Sequence, residues 1–485
     1  MSQVRFDERS SPAPHANLFG TGSFFQQVTI ERLSDDIILN IFRRYLDSTP
    51  QLWPRLARVC KRWRQIFTLP APNLRLHCTY GTPALKTLDC WPTLPIVVEY
   101  GGSPALDAPA REDEDNIMAA LKHSDRVTSI SLTVTSSLLE KLSALEKPFS
   151  ELEDLVLLSR DSVPLTLSSA FLCGSRLRRL HLTGITSPAL LQLLLSSRNL
   201  VDLQLHEVLN SSHLPPEALT NALSGMVQLQ SLSLHFLSST PGHHAPPPPS
   251  RERVVLQVLS RFNFQGITEY LEDFVARIDA PRLGSIDVTF FNRSNFDLSE
   301  LREFTHRVGM HKSHCRADIL SSKRAISLSL TRPGDPTRLK FQLFRKSLSE
   351  QLFFIAQVCL QFSAFLLNVE DLHISAKRSS RQDNGLHSQE WLEPINSFTG
   401  VKWLYISGNL STDIMCSPPD GRPESVLSSL CKLYKLYILQ PVPRYVPLRE
   451  AVVSFMTSRR LSGHPIVVEY ERLRHISKLP GTGTV

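Results

Sequence analysis

"LRRLHLTGITSPALLQLLLSSRNLVDLQL", residues 177–205, carries one six-residue pattern twice. "LRRLHL" (177–182) and "LVDLQL" (200–205) both read apolar-x-x-apolar-x-apolar. The last three positions of each alternate in, out, in, the period of a strand with one buried face. Between them, "SPALLQLLLSSRNL" (187–200) has helical periodicity and opens with Ser and Pro, which suit a helix start. One strand and one helix cannot bury their own apolar faces. Such a unit must stack on neighbours that share its core.

Neighbours are present. The pattern recurs as "VTSISL" (127–132), "LEDLVL" (152–157), "LQSLSL" (229–234), "LSRFNF" (259–264) and "LGSIDV" (283–288). It continues as "AISLSL" (325–330), "VEDLHI" (369–374), "VKWLYI" (401–406) and "LYKLYI" (433–438). The central residues are Ile130, Leu155, Leu180, Leu203, Leu232, Phe262, Ile286, Leu328, Leu372, Leu404 and Leu436. Their spacing is mostly 23–32 residues, with 42 and 44 around Leu328. Helical patterns also fill 215–229, 267–278 and 424–433. The class expected is α/β: an irregular solenoid with parallel strands inside and helices outside. The units resemble leucine-rich repeats, although the Asn or Cys usual after the strand is missing. The wide spacings should hold inserted structure. In "AISLSLTRPGDPTRLKFQLF" (325–344), Pro-Gly-Asp-Pro between two alternating runs reads as a hairpin. "NLRLHC" (73–78) and "LPIVVEY" (94–100) read as opening strands. The hexapeptide "PIVVEY" recurs unchanged at 465–470. Either both copies are end strands, whose edges need protection, or both merely suit a strand.

Composition narrows the class. The chain has 485 residues, 42% hydrophobic and 20% charged, enough for a small domain plus an elongated one. A net charge of +7 over that length is a weak field at physiological salt and requires no acidic partner. The polar start, "MSQVRFDERSSPAPHANLFG", lacks the apolar core of a signal peptide. A disordered leader and a cytoplasmic or nuclear location are expected. Eight scattered cysteines form no CxxC pair, so no disulfide framework is expected. Residues 352–369, "LFFIAQVCLQFSAFLLNV", carry no charge. Their polar interruptions favour a buried helix over a membrane span. "TPGHHAPPPPSR" (240–251) reads as a proline-rich loop.

The region before the repeats is different. In "IERLSDDIILNIFRRYLDSTPQLWPRLARVCKRWRQIF" (30–67), Ser34 and Asp35-Asp36 make a good helix start. Ile38, Ile41, Phe42 and Tyr45 form one apolar stripe, and Pro50 and Pro54 mark a short second helix. Leu56, Val59, Cys60, Trp63, Ile66 and Phe67 recur at three- and four-residue steps. Trp63 therefore sits on an apolar stripe, and Arg58, Lys61, Arg62 and Arg64 take the other faces as solvated charges. Three short helices of this size are marginal alone and would gain by offering an apolar face to a partner.

These residues resemble an F-box: Leu33-Ser34, Asp35-Asp36, Ile41-Phe42, Leu46, Val59-Cys60 and Trp63-Arg64 follow that family's order. Ser34 departs from the usual Pro. The stretch onward through 79–104 also resembles a group of fungal F-box proteins, which implies no particular biochemical role. The F-box resemblance implies a non-catalytic substrate receptor of a Skp–cullin–F-box ubiquitin ligase, or a scaffold that works without a ligase. It implies a Skp-type adaptor, and through it a cullin, held by Leu33, Ser34, Ile37, Ile41, Phe42, Leu46, Val59, Cys60, Trp63 and Arg64. It also implies an unknown protein substrate on the repeats. The expected division is a leader at 1–27, the F-box at 28–70, the solenoid at 71–475 and a disordered tail at 476–485.

Other chemistries find little support. No GxxxxGK[ST], GxSxG or HExxH occurs. "HRVGMHKSHC" (306–315) gathers His306, His311, His314 and Cys315, but at no established zinc spacing, so no metal or other cofactor is expected. The acidic run 111–116 reads as the first turn of a helix. No strand carries a basic row that would track phosphates, so no nucleic acid is expected, and a nucleic-acid-binding solenoid is kept only as the lesser alternative to a receptor or scaffold. Substrate contact is expected where strand residues face away from the core. These are Arg179, His181 and Thr183; Asp202, Gln204 and His206; Ser231, Ser233 and His235. Towards the C-terminus they become Trp403, Tyr405 and Ser407, then Lys435, Tyr437 and Leu439. Trp403, Tyr405 and Tyr437 are aromatic candidates, unless residues 441–470 fold over and bury them; His206 and His235 are the polar candidates.

Overall fold

A computed structural model of the chain describes residues 32–48, 59–68, 75–79, 88, 94–100, 111–145, 147–161, 165–166, 176–186, 190–208, 214–236, 253–291, 297–310, 314–332, 334, 337–345, 347–377, 391–407, 410, 414, 427, 430–439 and 446–471. The expected leader, proline-rich loop and tail, and the short helix marked by Pro50 and Pro54, lie outside them. The chain divides into two compact units, Met1–Leu74 and Arg75–Val485.

In the first unit, two helices are described, Asp35–Ser48 and Lys61–Thr68. The first begins where sequence predicts. The Ser34 carbonyl accepts from the amides of Ile37 and Ile38, and two aspartates stand in the first turn. Ile38, Phe42 and Ile66 are buried between the two.

Among its described residues the second unit holds twenty strands. They are β1 (Leu76–Thr79), β2 (Ile96–Tyr100), β3 (Val127–Val134), β4 (Asp154–Ser159), β5 (Leu165–Thr166), β6 (Arg179–Thr183) and β7 (Ile185–Thr186). Next come β8 (Asp202–Val208), β9 (Ser231–Phe236), β10 (Val254–Val255), β11 (Arg261–Gly266), β12 (Ile278–Asp279), β13 (Ser285–Phe290) and β14 (Arg316–Ser322). The last are β15 (Ala325–Thr331), β16 (Arg338–Phe344), β17 (Asp371–Lys377), β18 (Trp403–Ser407), β19 (Lys435–Leu439) and β20 (Val467–Glu471). Sixteen form one sheet in the order β1-β2-β3-β4-β6-β8-β9-β11-β13-β16-β15-β14-β17-β18-β19-β20; β5 pairs with β7 and β10 with β12.

Registry follows the repeat. Leu155, Leu180, Leu203, Leu232, Phe262 and Ile286 stand side by side on successive strands. Leu157, Leu182, Leu205, Leu234, Phe264 and Val288 form the next row. All are buried. Helices Leu190–Ser196, Pro216–Leu223 and Thr268–Ala276 bury leucines and phenylalanines against this side. Shared apolar area, rather than any one coil, holds the stack together.

The unit read at 325–330 is corrected. β15 is antiparallel to both neighbours, so Leu328 is not the centre of a repeat. The central row instead runs Ile286, Leu339, Leu330, Ala317, Leu372. The reason is linker length. Two residues join β14 to β15, and six join β15 to β16. Links this short can only turn back, whereas a parallel partner needs a long crossover. The expected 325–344 hairpin is present as β15 and β16.

Helix Leu348–Gln361 then crosses to β17. It buries Leu352, Ile355, Val358 and Cys359 and leaves Phe353 and Leu360 exposed. Gln351 anchors it: its amide donates to the carbonyls of Ser322 and Arg345 at 3.2 and 2.6 Å, and its oxygen accepts from Ser321 Oγ at 3.0 Å. Among the described residues, no helix is long and apolar enough to cross a membrane.

The repeated hexapeptide occupies two different places. β20 ends the sheet, but β2 lies one strand in, beneath β1, so only the second copy is an end strand. Tyr100 is accordingly 1% exposed and Tyr470 53% exposed.

Candidate functional site

Two surfaces are candidates, one in each unit. On helix Asp35–Ser48 the apolar stripe splits. Ile38 and Phe42 turn inward, while Ile37, Ile41 and Tyr45 stay 38–49% exposed; Val59 is 56% exposed. An intact helix presenting three large apolar side chains to solvent is a candidate surface for a partner. Phe42 is not on that surface: its ring meets Trp63 edge-on at 4.8 Å, so the pair supports the exposed residues from behind. Trp63 and Leu33 are half-buried; Ser34, Cys60 and Arg64 are exposed. The Leu46 side chain lies outside the described residues, as does Arg58.

Arg62 corrects the reading of solvated charges. Its guanidinium donates to Asp35 Oδ1 at 2.6 and 3.2 Å and to the Leu33 carbonyl at 2.6 Å. It ties the start of the second described helix to the start of the first. Sequence alone marks Arg62 as one cation among several, because the partner is 27 residues away. Arg62→Ala is expected to destabilise this unit by about 1–2 kcal/mol, more than Lys61→Ala, as read by chemical denaturation.

The second surface is the open face of the sheet, where strand residues alternate with the buried rows. At its N-terminal end lies a histidine column. His181 and His206 meet edge-on at 4.9 Å, and His206 stacks on His235 at 3.9 Å. Ser233 Oγ is within 2.9 Å of His206 Nε2 and 3.3 Å of His235 Nε2. Beside His206 lies a bulge: β8 and β9 slip register between Leu205 and Val208, with Glu207 at φ 57°. The extra residue re-aims the strand end. No signal in the sequence marks that bulge.

At the C-terminal end lies an aromatic column. His373, Tyr405 and Tyr437 stand in register and stack at 4.0 and 4.4 Å. The Lys435 ammonium sits 4.7 Å above the Tyr437 ring and pairs with Glu469 at 2.7 Å, which holds its pKa up. Lys402 lies over Trp403 at 5.8 Å. Trp403, Tyr405 and Tyr437 are half-buried. The described part of 441–470 does not fold over them. Helix Val446–Leu461 buries Leu448, Val452 and Phe455, and β20 extends the sheet beside β19. Leu439, expected on this face, is buried at 8%. His373 was missed, because the histidine is recognisable as part of the column only once β17 is paired.

Burial shifts these histidines. Desolvation, reinforced by His235 and His181, pushes His206 down to about 3. Desolvation and Arg316, against the pull of Asp318, push His373 down to about 4. In the unfolded chain a histidine titrates near ~6.5. As pH falls below that value the unfolded state takes up protons that the folded state refuses, so stability is lost from about pH 6.5 down through these lowered values. His206→Gln should flatten that decline in thermal melts recorded between about pH 7 and about pH 4.5.

Among the described residues, no group of three or more His, Cys, Asp and Glu is arranged to hold a metal ion. His311 lies outside them. His306 and His314 both lie against Phe365, at 5.1 and 6.5 Å.

Residues 30–75 match the F-box domain model. No curated protein matches the chain. Among solved structures the chain is similar to the leucine-rich-repeat protein LIC12759 of Leptospira interrogans, with 11% identity, 84% of this chain and 92% of that chain covered, and a TM-score of 0.31. It is also similar to the leucine-rich repeat-containing protein LegL7 of Legionella pneumophila, with 13% identity, 80% and 98% covered, and a TM-score of 0.25. The repeat architecture rests on the strand register described above, not on these likenesses.

Proposed function

We propose that this chain is a substrate receptor of a Skp–cullin–F-box ubiquitin ligase. One observation carries the reading. A segment that matches the F-box domain turns Ile37, Ile41, Tyr45 and Val59 to solvent over the buried Phe42 and the half-buried Trp63 that it meets. These apolar residues, with Leu33, Ser34 and Arg64, would meet a Skp-type adaptor and through it a cullin. The open face of the sheet would hold a protein substrate. Its action would be to raise the local concentration of that substrate beside a ubiquitin-loaded enzyme. The reading gives the chain no catalytic residue and no cofactor.

Purification of the tagged full-length protein tests it. Adaptor and cullin should both co-purify. Ile41→Ala, which removes exposed area and leaves the helix intact, should weaken adaptor binding about tenfold. Recovery of the adaptor without a cullin, and without ubiquitin transfer, would favour a ligase-independent scaffold. Absence of the adaptor would overturn both. For the substrate surface, Trp403→Ala and Tyr437→Ala should leave melting and adaptor binding intact while removing the remaining specific partners. If both instead lower the melting temperature by several degrees, the column is internal packing, and the face around His206 and His235 becomes the substrate surface.

A further inference from the structure

The arginines of the open face are not equivalent. Arg179 is paired with Asp154 at 2.7 Å and Arg316 with Asp318 at 2.8 Å; Lys340 is likewise held by Asp287 at 3.0 Å. Arg261 and Arg338 are exposed, and neither is in an ion pair among the described residues. Arg338 only donates to Ser329 Oγ, at 3.2 Å. Registry puts Ser285 directly between Arg261 and Arg338. The two arginines therefore flank Ser285 in register on strands about 10 Å apart, with the Arg338 guanidinium turned towards Ser329 on β15. Four strands further along the same row stands Trp403, beside the Tyr405–Tyr437 stack. The row between is Thr331, Arg316 and Asp371, whose charges compensate one another.

From this we infer that the open face takes an extended protein segment lying across the strands, with acidic side chains at Arg261, Ser285 and Arg338 and an apolar or aromatic side chain at Trp403, Tyr405 and Tyr437. Four strand spacings make about 19 Å, which an extended chain covers in about six residues. Charge complementarity selects the occupant. Two arginines without carboxylate partners favour a short acidic cluster. A polyanion such as a nucleic acid finds no continuous basic track on this face, because Arg179, Arg316, Lys340 and Lys435 already face Asp154, Asp318, Asp287 and Glu469. Forked guanidiniums suit carboxylates, and the ring column offers flat apolar area at low entropy cost. The inference rests on the reading of the open face as the substrate surface, and not on capture of the adaptor.

Fluorescence anisotropy on the full-length chain tests it. The probes are labelled peptides carrying two adjacent aspartates and, about six residues away, one phenylalanine in a Gly/Ser background, made in both chain orders. One order should bind. Replacing the aspartates with asparagine, or shortening the spacing to about two residues, should weaken binding at least about tenfold. The double variant Arg261→Gln/Arg338→Gln should lose about a hundredfold, whereas Arg282→Gln, at an exposed position in the turn before β13, should bind as wild type. Equal binding of the asparagine peptide would overturn the inference. So would failure of both chain orders, or binding of only a phosphoserine peptide or a single-stranded oligonucleotide. Adaptor binding measured on the same variants should be unchanged, which keeps a failure here distinct from a failure of the F-box reading.

Discussion

Phe42→Ala is expected to abolish adaptor capture by the full-length chain. Phe42 is fully buried and braces Trp63, and truncating such a phenylalanine costs about 3–5 kcal/mol. A helical unit this small has little stability to lose, so the helix that presents Ile37 and Ile41 should unfold with it. Calorimetric titration with purified adaptor should show no heat for Phe42→Ala and normal binding for Lys61→Ala, whose side chain is exposed. The repeat unit should melt as before. Full adaptor binding by Phe42→Ala would remove the F-box surface from consideration.

The second large effect is expected at Gly400. A Cβ there would stand 2.3 Å from the Leu367 carbonyl oxygen and 3.0 Å from that of Val369. Both are backbone, so neither can swing aside as a side chain would. Gly400→Ala should cost about 3 kcal/mol, the upper range for overpacking. Because each coil leans only on its neighbours, the damage should be local, loosening β17 against β18 and the strands beyond. Limited proteolysis should then cut near residue 400, releasing a C-terminal fragment. Adaptor binding should persist while the Trp403–Tyr405–Tyr437 column loses its partners. An unchanged digestion pattern would show that the backbone yields at little cost.

Much of this was legible from period alone. Leu155, Leu180, Leu203 and Leu232 announce their register because a stacked strand must repeat its apolar positions, and the sheet aligns them. The F-box stripe was legible for the same reason, at helical spacing. What period could not reveal was direction. "AISLSL" alternates as well as any parallel unit, and only its short links make β15 run backwards. β14 escaped notice because Ala317 holds its central place, too small to stand out as a repeat leucine. Arg62, the His206 bulge and the pairing state of Arg261 were also out of reach. Each depends on which residues, 23 or more positions apart, come to share a strand edge or a helix end.

The reversed strand also dictates an order of assembly. Coils up to β13 can dock as the nascent chain delivers them, each beside the last. β14 cannot, because its place is three strands away and the two that fill the gap are still unmade. Only when β16 arrives does the sheet resume, through a pairing that spans 53 residues between Asp287 and Lys340. The added closure entropy is small, about 0.7 kcal/mol over an ordinary coil, but the search is longer. Assembly during synthesis is therefore expected in two growth blocks with a pause between them. The arginine pair straddles that pause, since Arg261 belongs to the early block and Arg338 to the strand that ends it. The surface between them cannot form on any chain arrested before residue 338.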